Sequence, residues 1–244
     1  MSWIIGTLLL FVILVGFIIA ITRSYVNRVR DEERQKAAMQ LAHSNSLLKH
    51  SLDIQEKERT RIASDLHDEL ISRLYRVKLV SHDKSVDALL RESIDMARRI
   101  SHDLSPPMLS ESDLGDLLKT FLYPVYRKYH MDFFISREEG QYLSGEIKLN
   151  IYRIFQELIT NIQKHSGATS IQVRLRISRQ YVLLSVGDNG TGMPGDTSGG
   201  LGVKNIDLRA RQLKAYYGFR DNRPAGTKFV LCYERKGNDQ HNGG

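Results

Sequence analysis

The first 22 residues of this 244-residue chain carry no charge. From Trp3 to Ile21 the sequence reads WIIGTLLLFVILVGFIIAI, 19 residues interrupted only by Gly6, Thr7 and Gly16. At about 1.5 Å rise per residue, a helix of that length spans roughly the 30 Å hydrocarbon core of a bilayer. A cleaved signal peptide has a basic leader and a shorter apolar core. Only Met1 and Ser2 precede this run, so it reads as an uncleaved transmembrane anchor with no room outside for a sensor domain. Trp3 and Tyr25 suit the two membrane interfaces, and the Arg23, Arg28, Arg30, Arg34 and Lys36 cluster places the C-terminal side in the cytoplasm.

That cluster also settles how the overall charge is read. The chain has 35 Lys and Arg against 28 Asp and Glu, a net +7 with a pI near 9.4. A basic protein invites a nucleic-acid reading. Five of the basic residues sit beside the apolar run, where anionic lipid explains them. No basic helix lies outside that segment, so no direct nucleic-acid partner is expected. The single Cys232 excludes a disulfide framework and any Cys-based zinc site.

Beyond the anchor (1–22), residues 23–54 are polar, free of Pro and Gly, and rich in helix formers. Leu41, Leu48 and Leu52 begin a coiled-coil seam in this linker. Within 55–107, Ile62, Leu66, Leu70, Leu74 and Val77 form one helical stripe. Val86, Leu90, Ile94, Ala97, Ile100 and Leu104 form a second, ended by Ser105-Pro106-Pro107. Two such helices cannot bury their stripes alone; an antiparallel hairpin that dimerises into a four-helix bundle can. Residues 108–235 have a mixed pattern: helices over 114–129, 146–164 and 202–217, strands over 131–136, 171–177, 181–186 and 228–234. This predicts an α/β sandwich with an antiparallel or mixed sheet. The tail, 236–244, has the composition of a disordered segment.

Three His-Asp pairs occur: His67-Asp68, His82-Asp83 and His102-Asp103. The second falls in the turn between the helices, and the third near the end of the second helix, where a structural role suffices. His67 lies in mid-helix, at the edge of the apolar stripe, held by packing yet open to a partner. A neutral imidazole is a competent nucleophile toward phosphorus when a neighbouring carboxylate orients it and takes its proton, and Asp68 is placed for that. The bare alternative is an ordinary structural histidine. Glu157, Asn161, Lys164 and His165 share one face of a helix, and a carboxylate, an amide and cations suit Mg²⁺-bound polyphosphate. A salt-bridged surface helix would explain them equally. Asp188, Gly190 and Gly192, then Gly199, Gly200 and Gly202, surround a loop ending at a helix start, an arrangement that favours phosphate. Neither the P-loop nor the dinucleotide fingerprint is present.

Taken in order, an LHD motif on a dimerising hairpin, an Asn-bearing helix, Asp-x-Gly-x-Gly, Gly-x-Gly and Gly-Thr closely resemble the sensor histidine kinases of the NarL/DesK-like type. That family pairs with LuxR-type response regulators. The likeness covers about residues 55–234. It implies a Bergerat-type ATP-binding fold, with ATP and Mg²⁺ as cofactors, a homodimer, and a bacterial inner-membrane location. It implies His67 as phosphoacceptor and Asp68 as its base, and Asn161 with Glu157 as Mg²⁺ ligands. Lys164 and His165 would face the phosphates, and Asp188 would read the adenine amine beside Gly190 and Gly192. Gly200 and Gly202 would border the lid, and Thr227 would line the base. Two positions depart from the family. Ser72 replaces the Gln that many members carry five residues after the histidine, which implies weak phosphatase activity. Tyr216-Tyr217-Gly218 replaces a Gly-Gly, read here as a changed turn. A membrane partner protein could supply the input. The competing readings are a catalytically silent nucleotide-binding membrane adaptor and a Ser/Thr kinase of the same fold.

Overall fold

The computed structural model describes residues 2–80, 84–106, 109, 112–192 and 200–235. At 2, 4, 5, 7–13, 41, 84 and 85 it describes only the helical backbone. The His82-Asp83 turn, Gly199 and the 236–244 tail lie outside the described residues. Contacts divide the chain into two units, Met1–Ser51 and Leu52–Gly244.

The first unit is helical, part of α1 (Ser2–Asp65). Trp3, Leu14, Phe17, Ile18 and Ile21 are exposed. Among the described residues no helix is long and apolar enough to cross a membrane. The side chains of residues 4, 5 and 7–13, within the expected anchor, lie outside that description.

The second unit opens with the end of α1, which passes through a π-helical turn, Leu66–Ile71, into α2 (Ser72–Val80). α3 (Lys84–Leu104) packs back along it. The seam between them buries Ile71, Ile94 and Ala97, with Leu74 and Tyr75 alongside. Arg98 lies over the Tyr75 ring, 5.5 Å from its centroid. Near the base of the hairpin, the Ser101 hydroxyl donates to the Ala63 carbonyl at 3.1 Å. This seam is shorter than the predicted stripe, since Leu70 and Val77 stay exposed. The π-turn carries one more residue per turn than the α-helix. It therefore shifts the phase, so that Ile71 rather than Leu70 enters the seam.

The remainder is a two-layer α/β sandwich. α4 (Leu114–Leu122) starts at Asp113, whose carboxylate accepts from the Gly115 N–H at 2.8 Å. α5 (Gly145–Asn161) runs into a second π-turn, Ile162–Ser166, and α6 is Leu201–Leu213. The strands are β1 (His130–Arg137), β2 (Ser170–Ile177), β3 (Tyr181–Asp188), β4 (Tyr216–Asp221) and β5 (Thr227–Glu234). Their order is β1-β2-β3-β5-β4. β1 and β2 are parallel and the other pairs antiparallel, so the sheet is mixed. Alternate residues Ile171, Val173 and Leu175 of β2, Val182, Leu184 and Val186 of β3, and Phe229 and Leu231 of β5 point into the core. Ile151, Ile154, Phe155 and Ile159 of α5 meet them there.

Two predicted helices are corrected. The one expected over 114–129 ends at Leu122, and Pro124, which lacks an N–H, leads into a single 3₁₀ turn, Val125–Arg127. The one expected over 202–217 ends at Leu213, where Lys214 takes a left-handed φ of 56°. Tyr216-Tyr217-Gly218 is therefore strand β4 and not a turn. Half-buried Tyr217 and Phe219 alternate with exposed Tyr216 and Arg220, a period of two that the preceding helical rhythm masks.

Candidate functional site

A cavity of about 620 Å³ opens between the C-terminal end of α5, the end of β3, the start of α6, and β4–β5. Asn161, His165, Asp188, Gly192, Gly200, Gly202 and Thr227 line it. Four elements far apart in sequence thus bring seven of the expected residues to one space.

Asp188 is only 5% exposed, at the last position of β3. Its Oδ1 accepts from the Gly190 N–H at 2.8 Å, and its backbone carbonyl accepts from the Asn222 side-chain amide at 2.8 Å. The carboxylate is thereby held at the cavity wall. Gly190 does not line the cavity but shapes its rim: a Cβ there would stand 2.2 Å from the Ser166 carbonyl oxygen. That carbonyl also takes the Thr191 N–H at 2.9 Å. Phe219 and Phe229 also line the cavity, with ring centroids 5.0 Å apart and planes inclined at 58°, an apolar aromatic wall against which a planar base can pack.

At the other end Gly200 is the N-cap of α6, so the helix's unpaired N–H groups border the cavity. A Cβ on Gly202 would lie 2.2 Å from Glu157 Oε1 and 3.3 Å from Asn161 Nδ2. The two candidate metal-holding side chains therefore stand side by side against the start of α6. Glu157 itself lines a neighbouring cavity of about 420 Å³, together with Arg59. Lys164 is exposed and does not line the nucleotide-sized cavity, which corrects the expectation of a single shared face. The π-turn after Asn161 advances less per residue than an α-helix. It keeps His165 with Asn161 and turns Lys164 away.

His67 sits in the π-turn of the hairpin with its side chain 69% exposed. In the single chain it is not held by packing, contrary to expectation. It is oriented instead by Asp68, whose Oδ1 is 3.3 Å from Nδ1, while Asp68 Oδ2 accepts from Ser64 at 3.2 Å. A separate cavity of about 750 Å³ includes His67, Arg98, Arg99 and His102, and shares no residue with the first. Burial lowers the His102 pKa, Asp103 opposes that, and the charges of Arg98 and His67 lower it further. The decoy pair thus stands electrostatically close to His67.

Residues 146–236 match the family described as histidine kinase-, DNA gyrase B- and HSP90-like ATPases. Three bacterial sensor proteins align over longer stretches. Sensor histidine kinase MctS of Rhizobium johnstonii is 27% identical over 84% of this chain and 49% of its own length. Oxygen sensor histidine kinase NreB of Staphylococcus carnosus is 24% identical over 69% and 53%. The methanol utilization control sensor protein MoxY of Paracoccus denitrificans is 31% identical over 72% and 46%. The chain is similar to these sensor histidine kinases. It spans about half the length of these relatives. Its ATPase domain implies ATP as the ligand of the 620 Å³ cavity.

Sequence reasoning missed several residues around this cavity. Ser166, Phe219 and Phe229, which line the cavity, and Asn222, which anchors the Asp188 carbonyl, are unremarkable in the sequence. Glu56, Arg153 and Arg209 belong to no motif in the sequence, yet they meet in a largely buried ion cluster.

Proposed function

We propose that this chain is a membrane-anchored two-component sensor histidine kinase, which phosphorylates its own His67 from Mg·ATP and passes the phosphoryl group to an aspartate of a LuxR/NarL-type response regulator. The observation that carries the reading is the exposed His67–Asp68 pair in the same chain as the ATPase cavity. The Asp68 contact favours the tautomer with the proton on Nδ1, which leaves the Nε2 lone pair free. Nε2 attacks the γ-phosphorus, the new N–P bond forms as the bond to the β-phosphate oxygen breaks, and ADP leaves with that electron pair. Asp68 stabilises the ring's Nδ1 proton as positive charge develops. Asp188 receives the adenine amine, Phe219 and Phe229 hold the base, and the N-terminus of α6 receives phosphate oxygens. Asn161 and Glu157 are few but adjacent oxygen donors, which fits Mg²⁺, an ion that keeps waters and phosphates as its other ligands. When bound, that ion neutralises charge on the transferring phosphoryl group.

The domains follow the sequence boundaries: anchor 1–22, linker 23–54, dimerisation and phosphoacceptor hairpin 55–107, ATP-binding domain 108–235, tail 236–244. The anchor reading rests on the uncharged run and its basic flank, with the ATPase domain on the cytoplasmic side of a bacterial inner membrane. The dimer reading rests on the outward stripe of Leu89, Met96 and Ile100 on α3, spaced as in a coiled-coil seam and left exposed in the single chain. Ser72 in place of Gln makes this a weak phosphatase.

The test is incubation of the purified chain with Mg²⁺ and γ-labelled ATP, scoring acid-labile, alkali-stable label. Wild type and His102→Ala should take up label, and His67→Ala should not. Bound ATP without label in any form would instead favour the silent adaptor.

A further inference from the structure

The cavity that holds His67 carries more titratable groups than a phosphoacceptor and its base require. From α3 it takes Asp95, Arg98, Arg99, His102 and Asp103, from α4 Asp116, and from α5 Tyr152. Arg98 and Arg99 lie four and three residues before His102, so the three share one face of α3. The bond from the Ser101 hydroxyl to the Ala63 carbonyl fixes the register of the hairpin. His67 lies four residues beyond Ala63 on one helix, and His102 one beyond Ser101 on the other, which runs the opposite way. The two imidazoles are therefore offset by roughly 7–8 Å along the helices, about one Debye length at physiological salt. Each feels the other: the charge of His67 lowers the His102 pKa. Both belong to the hairpin.

The lining is not a ready anion site. Two guanidinium groups stand there against three carboxylates, an excess of negative charge while both imidazoles are neutral. A phosphoryl group on His67 adds about two negative charges more. Crowding of like charge favours the uptake of a proton by a neighbouring group.

The groups around the cavity differ in what they can take up. Arg98 and Arg99 are cations already. Tyr152 is buried, and burial together with the Asp103 charge pushes its pKa up to about 12, so it keeps its proton. Asp95 and Asp116 are exposed, and Asp116 faces Lys119 at 3.8 Å. Burial raises the Asp103 carboxyl, and the charges of His102, Arg153 and Arg99 oppose that rise. His102 is the side chain of α3 in this cavity that changes charge near neutral pH. Solvent reaches it, so it can exchange a proton. Burial holds it below its ordinary value, Asp103 opposes, and the charges of Arg98 and His67 add to the lowering. A phosphoryl group on His67 reverses the sign of that last contribution.

We propose that His102 is the proton-binding partner of phosphorylated His67: arrival of the phosphoryl group draws a proton onto His102, and the imidazolium so formed holds the phosphoryl group on the hairpin. The Nε2–phosphorus bond of His67 forms as the bond to the β-phosphate oxygen breaks, ADP leaves with that electron pair, and the proton on His102 comes from solvent. His102 is thus a positioning residue and not a second acceptor. The transfer step rests on the proposed function, whereas the coupling of the two histidines rests on the hairpin alone.

The experiment uses the purified full chain with isotope-labelled histidine rings, titrated by NMR over about pH 5–9. The signal lost in His102→Gln identifies His102. His67→Glu sets a negative charge at the acceptor position without any transfer, and His67→Gln is its neutral control. The His102 midpoint should lie higher in His67→Glu than in His67→Gln; equal midpoints would overturn the coupling. In the second arm the fraction labelled from γ-labelled ATP is measured at a fixed ratio of ATP to ADP, in wild type, His102→Gln and His102→Lys. His102 does not line the nucleotide cavity, so retained nucleotide affinity certifies the fold of each variant. Dividing the wild-type equilibrium constant by that of His102→Gln removes the pH effects common to both. The ratio should rise as pH falls through the midpoint of the phosphorylated form and level off below that of the unphosphorylated one, by at least about five-fold, the lower end of ordinary coupling. His102→Lys, charged throughout, should retain more label than His102→Gln at every pH. A flat ratio with label present would overturn the hold on the phosphoryl group. Absence of label in every form, with nucleotide bound, would sink the kinase reading instead, while the His67→Glu titration still decides the coupling.

Discussion

Gly226, in the turn between β4 and β5, provides a sharp test of how the base end of the cavity is built. Its φ is +102°, a region that L side chains rarely adopt, and a Cβ there would lie 2.0 Å from the Asp188 carbonyl oxygen, 2.6 Å from its carbon and 2.9 Å from Asn189 Cα. All three are backbone atoms, so no side chain can swing aside. To reach the 3.4 Å at which ordinary contact begins, the end of β3 must retreat by more than 1 Å. Asp188 goes with it, and so does the bond from Asn222 that anchors its carbonyl. The conformational cost of Gly226→Ala is about 1–2 kcal/mol, and overpacking adds about 1–3 kcal/mol. Gly140→Ala is the matched control. It too has a positive φ, +69°, but nothing lies within 4 Å of its Cβ, so only the conformational cost applies. Urea unfolding of the two variants should therefore differ by the overpacking amount. Nucleotide affinity should separate them further: about ten-fold or more lost in Gly226→Ala, through the displaced Asp188 hydrogen bond, and no change in Gly140→Ala. Equal destabilisation with equal affinity would refute the close approach of β5 to Asp188.

Two further predictions follow from the same geometry. The Tyr217 hydroxyl donates to Asp207 Oδ1 at 2.7 Å, and burial, that bond and the Asp207 charge push its pKa up to about 12. A raised pKa means stability held in full below the free value of 10 and lost as pH climbs toward 12. Tyr217→Phe should therefore cost about 0.5–1 kcal/mol at pH 7, the low end because the ring is partly in water, and the gap from wild type should close above pH 11 in alkaline unfolding; a pH-independent gap refutes the bond. Met96→Glu places a charge in the exposed stripe of α3. It should weaken self-association at least about ten-fold by analytical ultracentrifugation in detergent, and an undiminished dimer would move the interface elsewhere.

The chemistry-bearing residues were legible because each sits in a local pattern. The LHD run, the Asn161 helix and the Asp188–Gly192 turn are short segments whose residue types have few other uses together. Their convergence was not legible. Asn161, Asp188, Gly202 and Thr227 come from four elements, and only the mixed sheet with its β3–β5 pairing brings them around one cavity. Strand β4 was hidden because a period of two follows directly on a period of 3.6 with a single left-handed residue, Lys214, between them. The two π-turns left no mark at all, since an extra residue in a turn changes the phase of a stripe without changing its composition. They explain why Ile71 is buried, Leu70 is exposed and Lys164 is turned away.

What the sequence determined alone is therefore the inventory: an uncharged run with a basic flank, a hairpin carrying a histidine beside an aspartate, and a glycine-punctuated nucleotide domain. Composition and spacing suffice for these because they depend on near neighbours in the chain. The tertiary structure decided the distances between distant segments. It set His67 apart from the nucleotide cavity and joined Glu56 to Arg153 and Arg209 across 97 and 153 residues. Any helix surface can bear a lone Glu or Arg, so such residues give no local signal. They acquire meaning only when packing removes their water and makes each the other's necessary partner.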